Sequence, residues 1–245
     1  MKGLAGNTVL VTGGGGAIGA AICRRFAEAG ALLLVCDKNP ASAERVAAEV
    51  RGTALVFDIS DYQEASKAIG EAPVDVLVNN AGWDRFQNFL DTRPQEWETL
   101  LDINLRGPLN MHHIVVPGMV KRGRGRVINI ASDAARVGSS GESVYSACKG
   151  GIIAFSKTLA REVARQGITV NVVCPGPTDT PILRGFLGEG EDGKKVYDAL
   201  VRAIPMKRVG QPEDIPGIVA FLASEEAAFI TGQVISVSGG LTMAG

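Results

Sequence analysis

The chain has no excess of charge of either sign: 25 basic and 26 acidic side chains are spread along 245 residues, leaving a formal net charge of −1. Binding to nucleic acid needs a basic face to neutralise phosphates, so that class of partner is not expected. Cysteine is scarce, and Cys23, Cys36, Cys148 and Cys174 have no metal-ligand spacing. No metal is expected, and the thiols read as buried and reduced, as in a cytoplasmic protein. No apolar stretch approaches the ~20 residues that cross a bilayer, and no signal peptide fits before the first strand pattern, so no membrane contact is expected. There is no internal repeat, low-complexity stretch or linker. These absences leave one soluble domain over residues 1–245 with a small-molecule partner.

Short apolar runs at 8–12, 32–36, 54–57, 74–78, 126–131, 169–174 and 234–237 alternate with helical patterns at 17–29, 41–50, 97–120, 144–165 and 213–223. That βαβ rhythm predicts a single-domain α/β fold: a Rossmann-type doubly wound parallel sheet of about seven strands with helices on both faces. Strands that are apolar almost throughout agree, since such sheets are covered on both sides. One composition shift interrupts the rhythm, at 184–195, where Gly185, Gly188, Gly190 and Gly193 stand among charged residues. The expectation there is a mobile excursion, a flexible substrate loop at about 183–205 that could close over a pocket.

The first strand runs into Thr12-Gly13-Gly14-Gly15-Gly16-Ala17-Ile18-Gly19, which satisfies G-x-G-x-x-G at Gly14, Gly16 and Gly19. Glycines let the backbone turn sharply and approach a pyrophosphate held at the following helix N-terminus. Asp37, eighteen residues after Gly19 at the end of the second strand, suits the hydroxyls of an adenine ribose and would repel a 2′-phosphate. NAD is therefore favoured over NADP, with Lys38 next door pulling the other way. Asp58 after strand three and Asn79-Asn80-Ala81-Gly82 after strand four reach the same carboxyl edge of the sheet, where ligands of open parallel sheets bind.

Tyr145 and Lys149 stand four apart on one predicted helix face, thirteen residues beyond Ser132. A neighbouring ammonium stabilises a phenolate, so the spacing predicts a tyrosine with a lowered pKa, suited to acid/base work, with the Ser132 hydroxyl holding a substrate oxygen. Adjacent His112 and His113 point in different directions and read as structural.

Taken together, the Thr12–Gly19 turn, Asp58, Asn79–Gly82, Asn104, Ser132, Tyr145, Lys149 and Pro175-Gly176 resemble the short-chain dehydrogenase/reductase family over essentially the whole chain. The one departure is Ala17, where the family often has glycine. The resemblance implies that Tyr145 is the acid/base, that Lys149 binds the nicotinamide ribose and that Ser132 orients the substrate oxygen. It also implies that Asn104 supports a proton-relay water. It places the cofactor against Gly13, Gly16, Ala17, Ile18 and Gly19, against Asp37, Lys38, Asp58 and Ile59, and against Asn80, Ala81 and Gly82. Beyond Tyr145 and Lys149 it adds Pro175, Gly176, Thr178 and Thr180 around the nicotinamide.

Substrate contacts are expected from Trp83, Asp84, Asp133, Arg136 and Glu142. Several stretches resemble family members acting on cyclic hydroxyacyl-CoA thioesters, for which Trp83 could wall a ring and Arg136, Arg184, Lys194 or Lys195 meet CoA phosphates. Similar proteins also reduce 3-oxoacyl thioesters or oxidise polyols. A non-catalytic NAD-binding sensor is opposed by the presence of all four of Asn104, Ser132, Tyr145 and Lys149. Relatives pair helices like 97–120 and 143–166, which makes a homotetramer the expected assembly.

Overall fold

The computed structural model describes residues 1–188 and 190–244; Glu189, inside the expected excursion, and Gly245, at the end of the expected domain, lie outside the described residues. The chain alternates as expected: β1 (Thr8–Thr12), α1 (Ala17–Glu28), β2 (Leu32–Asp37), α2 (Pro40–Val50), β3 (Thr53–Val56), α3 (Tyr62–Ile69) and β4 (Val76–Asn79). There follow α4 (Pro94–Leu101), α5 (Gly107–Arg122), β5 (Gly125–Ile130), α6 (Ala134–Val137), α7 (Ser143–Val163) and β6 (Ile168–Pro175). The last elements are α8 (Pro181–Leu187), α9 (Gly190–Ala203), α10 (Pro216–Ala223) and β7 (Val234–Val237). The seven strands form one parallel sheet in the order β3-β2-β1-β4-β5-β6-β7. The order reverses between β1 and β4, which opens a crevice at their carboxyl ends.

Alternate residues of each strand feed two cores. Val9, Val11, Val35, Val76 and Val78 pack with Ile22 and Phe26 of α1 and Val219 and Leu222 of α10. Leu10, Leu77, Val127 and Val170 face the other way, onto Met111, Val115 and Met119 of α5 and Ala160 and Val163 of α7. Burial on both faces explains why the strands read as unbroken apolar runs.

Two expectations change. The helix expected over 97–120 begins at Pro94 and carries a π-helical turn at Asp102–Arg106. Pro108 supplies the cause, since it has no N–H for the Asn104 carbonyl four residues back and its ring crowds that carbonyl. The excursion expected at 184–195 is instead the helical pair α8 and α9. Pro181 opens α8, Thr180 caps it by accepting the Leu183 N–H at 3.3 Å, and the next helix runs on through the glycines.

Beneath the crevice lies a buried polar chain. Asn79 of β4 donates to Asn129 of β5 at 2.8 Å, and Asn129 donates to Ser156 of α7 at 2.8 Å. His112 sits beside them, 3% exposed, with Nδ1 toward the Pro108 carbonyl. Burial lowers its pKa to about 4. The unfolded chain, titrating near 6.5, therefore binds more protons than the folded one between these values. Stability should be full above pH 6.5, fall as the pH drops toward 4 and then level off for this group. The loss should be on the order of 3 kcal/mol, and chemical denaturation across this range should show it shrinking in His112→Gln.

Candidate active site

The glycine turn is set by close packing rather than by flexibility alone. Gly13 has φ +62°, and the Gly14 N–H donates to the Cys36 carbonyl at 2.8 Å. A Cβ on Gly19 would stand 2.1 Å from the Gly13 carbonyl oxygen. The Asn80 side chain clamps the turn, donating to Thr12 O at 3.0 Å and Gly13 O at 3.1 Å, while the Thr12 hydroxyl accepts from the N–H groups of Asn80 and Ala81. Thr12 was not singled out as a site residue by sequence; only the contact reveals its work.

Asp37 closes β2 with Oδ2 on the Gly15 N–H at 3.1 Å and Oδ1 on the Asn39 N–H at 3.0 Å. Asp58 accepts from the Ser60 N–H and hydroxyl; burial opposes its charge, but these bonds and Lys38 win and hold its pKa below the usual range. Both carboxylates line one cavity of about 650 Å³ with Gly13, Gly16, Ala17, Ile18, Gly19, Lys38, Ile59, Ala81 and Gly82. The cavity continues to Ser132, Tyr145 and Lys149, and to Pro175, Gly176, Thr178 and Thr180. A Cβ on Gly19 would fill the turn's cradle and one on Gly15 would meet Asp37, so backbone and carboxylate are shaped for a dinucleotide.

Lys149 and Tyr145, expected to act in catalysis, line the same cavity. Lys149 is 3% exposed, donates to the Ile130 carbonyl at 3.0 Å, and its Nζ lies 5.6 Å from the centre of the Tyr145 ring. Burial lowers its pKa to about 8. Tyr145 does not have the lowered pKa that its spacing from Lys149 predicts. Burial pushes the phenol up, Asp84 and Glu142 add to the rise, and only a hydrogen bond with Ser132 pulls it down. The phenol is therefore protonated at neutral pH, ready to donate.

Asn104, fully buried in the π-helical turn, donates to Trp83 O at 2.7 Å and Leu100 O at 3.0 Å and accepts the Trp83 N–H at 3.2 Å. It holds the loop carrying Trp83, and a Cβ on the intervening Gly82 would lie 3.2 Å from both Asn104 Oδ1 and Lys149 Nζ. Its side chain is thus occupied by the loop, and Asn104 does not line the cavity.

The end of the cavity away from the glycine turn is walled by Trp83, Phe86, Ile182, Leu183, Phe186, Leu200 and Leu241, with Asp84, Asp133 and Glu142 among them. Phe86 and Phe186 stack with ring centres 3.8 Å apart, which ties α8 to the loop after β4. Sequence reasoning missed Phe86, Ile182 and Leu241, which carry no motif. Arg136 departs from its expected substrate role: its guanidinium donates to Ser236 at 2.7 Å and to the Ala244 carbonyl, outside the cavity. Arg184 is paired with Asp179 at 2.7 Å and Lys195 with Asp192 at 2.9 Å, and neither they nor Lys194 line the cavity. The arginines and Lys195 found carboxylate or carbonyl partners nearby, which satisfies them where they stand.

A family model described as Enoyl-(Acyl carrier protein) reductase matches residues 15–242. The chain belongs to the short-chain dehydrogenase/reductase family. Among relatives of this dehydrogenase/reductase, the acetoacetyl-CoA reductase of Shinella zoogloeoides is 39% identical over 237 residues, covering 94% of this chain and 96% of that protein. A 3-oxoacyl-[acyl-carrier protein] reductase from Brucella melitensis, solved with bound NAD, superposes with TM-score 0.90 at 34% identity, over 98% of this chain and 92% of that one. A gluconate 5-dehydrogenase from Burkholderia cenocepacia, solved with NADP and tartrate, gives TM-score 0.92 at 33% identity, over 98% and 96%. The dehydrogenase/reductase is thus an oxidoreductase of the alcohol/ketone type whose fold binds a nicotinamide cofactor. Among its described residues no helix is long and apolar enough to cross a membrane, and all four cysteines are buried and unpaired.

Proposed function

We propose that the protein interconverts a secondary alcohol and a ketone on a hydroxyacyl-CoA thioester, using NAD, with a cyclic acyl group of the 2-hydroxycyclohexanecarboxyl kind. The observation that carries this reading is one continuous cavity. It joins the glycine turn and Asp37 to the Ser132–Tyr145 pair and then to an apolar wall of Trp83, Phe86, Ile182 and Phe186. A mostly apolar wall around a reacting alcohol suits a hydrocarbon ring better than a polyol, which would find polar partners there only in Asp84, Asp133 and Glu142. The resemblance of Asn79–Asp84 and Ser132–Glu142 to 2-hydroxycyclohexanecarboxyl-CoA dehydrogenase supports the ring.

A nicotinamide cofactor, when bound, supplies the hydride chemistry. Asp37 would hold its adenine ribose, the glycine turn its pyrophosphate, Lys149 its second ribose, and the Pro175–Thr180 loop its carboxamide, where the Thr180 hydroxyl can donate while it caps α8. In the reductive direction Tyr145 gives its proton to the substrate oxygen as charge develops there, with Ser132 fixing that oxygen. In the oxidative direction the same hydroxyl must first lose its proton, so oxidation should rise with pH. Asn104 fixes the Trp83 loop, and because its side chain is taken up there, its proposed part in a proton-relay water would fall to its backbone. A homotetramer built on the 97–120 and 143–166 helices completes the proposal; a monomer by light scattering would refute that part.

An initial-rate screen tests the substrate. NAD and NADP would be run against 2-hydroxycyclohexanecarboxyl-CoA, linear 3-hydroxyacyl-CoAs and polyols, and polyols as the best substrates would overturn the reading. Asp37→Ala tests the cofactor. It should lower kcat/KM with NAD roughly tenfold or more, the order expected for lost hydrogen bonds to a charged group, and raise NADP use because Lys38 remains beside the site. An unchanged NAD to NADP ratio would remove Asp37 from cofactor choice.

A further inference from the structure

Asp84 and Glu142 meet in the cavity wall beside Tyr145, and the proton transfer described above uses neither. Asp84 follows Trp83 on the loop held by Asn104, while Glu142 is the residue that opens α7, three before Tyr145. Asp84 Oδ1 accepts the Arg85 N–H at 2.8 Å. Its Oδ2 is shielded from solvent, and among the described residues no N–H or O–H donor reaches it. The Asp84 and Glu142 carboxyls lie within hydrogen-bonding reach of each other. Two carboxyls so placed are satisfied only when a proton lies between them.

The surroundings support a shared proton. Burial first, then Glu142, pushes Asp84 up to about 7, against the Arg85 N–H and the charge of Lys149. The Arg85 guanidinium is turned away, onto Glu96 at 3.0 Å, and the Lys149 ammonium is held by the Ile130 carbonyl. Loss of the Asp84 proton, near pH 7, adds one negative charge to the pair. Either way the negative charge stands beside the reacting hydroxyl, and both carboxylates raise Tyr145.

We propose that the Asp84–Glu142 pair is a charge filter at the substrate end: it admits an acyl group masked as an ester or thioester and excludes the same group as a free carboxylate. A third carboxylate brought to this wall meets like charge, while the Lys149 ammonium is engaged by the Ile130 carbonyl and the Arg85 guanidinium by Glu96. A masked carboxyl brings no charge and meets no such repulsion. The inference rests on the alcohol/ketone reading and names which form of the substrate that site accepts.

The test uses small probes, so that CoA contacts play no part: 2-hydroxycyclohexanecarboxylate and its methyl ester, with wild type, Glu142→Gln, Asp84→Asn and the double variant. Wild type should prefer the ester by about 100-fold in kcat/KM, and the double variant by about tenfold or less. In Glu142→Gln the inflection near pH 7 should vanish from the ester pH profile, and the Tyr145 step should move to lower pH, which a merely structural role would not do. An ester preference unchanged within about threefold in all three variants would overturn the filter while leaving the dehydrogenase reading intact. Failure of wild type to turn over either ester or thioester would overturn that reading and the filter together.

Discussion

Tyr145→Phe should lower turnover by about three to four orders of magnitude while changing cofactor affinity by less than about threefold. The substitution removes one oxygen and keeps the ring, so the packing of α7 against the sheet is preserved. What is lost is the group that gives or takes the proton at the substrate oxygen. Ser132 can still accept and donate a hydrogen bond there, but a serine hydroxyl titrates far too high to replace a phenol. Lys149 cannot substitute either, because its ammonium is bound to the Ile130 carbonyl and lies 5.6 Å from the ring centre. Initial rates in both directions, with a fluorescence titration of NAD, make the measurement. Turnover within about tenfold of wild type would show that another group moves the proton.

The effect of Lys149 on the Tyr145 phenol is outweighed by groups that the sequence does not place beside it. A lysine four residues from a tyrosine suggests a lowered phenol pKa, and that inference holds when the two charges are the only ones near. The fold adds Asp84 from the loop after β4 and Glu142 from the start of α7, and it half-buries the phenol beside them. Spacing along a helix cannot report what another strand's loop brings across. The same limit explains Asn104, whose side chain holds the Trp83 backbone through a turn widened by Pro108. It explains Arg136 as well, which is drawn to a C-terminal carbonyl 108 residues away. Features that depend on strand ends were legible, because a parallel sheet brings its carboxyl termini to one edge whatever the loops do. Gly13–Gly19, Asp37, Asp58 and Asn80 were found on that basis, and all but the turn-enclosed Gly14 and Gly15 line the cavity. The α8–α9 pair was illegible for a different reason: its glycines argued for mobility, whereas a proline start and a threonine cap are enough to open a helix.

Gly19→Ala should be the most damaging single methyl in the glycine turn. The added Cβ would stand 2.1 Å from the Gly13 carbonyl oxygen and 2.8 Å from Asn80 Nδ2. The first neighbour is backbone and cannot rotate away, so the turn must open by more than an ångström to restore ordinary contact. Opening it pulls Gly13 from the Asn80 side chain, which now donates to its carbonyl at 3.1 Å, and Asn80 in turn holds the end of β4 to β1. Overpacking of this kind costs about 1–3 kcal/mol, so a lower melting temperature is expected. Cofactor affinity should suffer more, by about 100-fold or greater, because the N–H groups that would face the pyrophosphate move with the turn. Gly16→Ala supplies the internal comparison. Its Cβ meets only the Gly13 oxygen, at 3.3 Å, so a shift of a few tenths of an ångström accommodates it and the loss should be much smaller. Ala17→Gly, which restores the residue common in the family, should change stability by no more than about 1 kcal/mol. Calorimetric titration with NAD and thermal melting of the three variants give the ranking. Binding by Gly19→Ala within about threefold of wild type would mean that the turn yields more easily than its contacts imply, and that the pyrophosphate is held elsewhere.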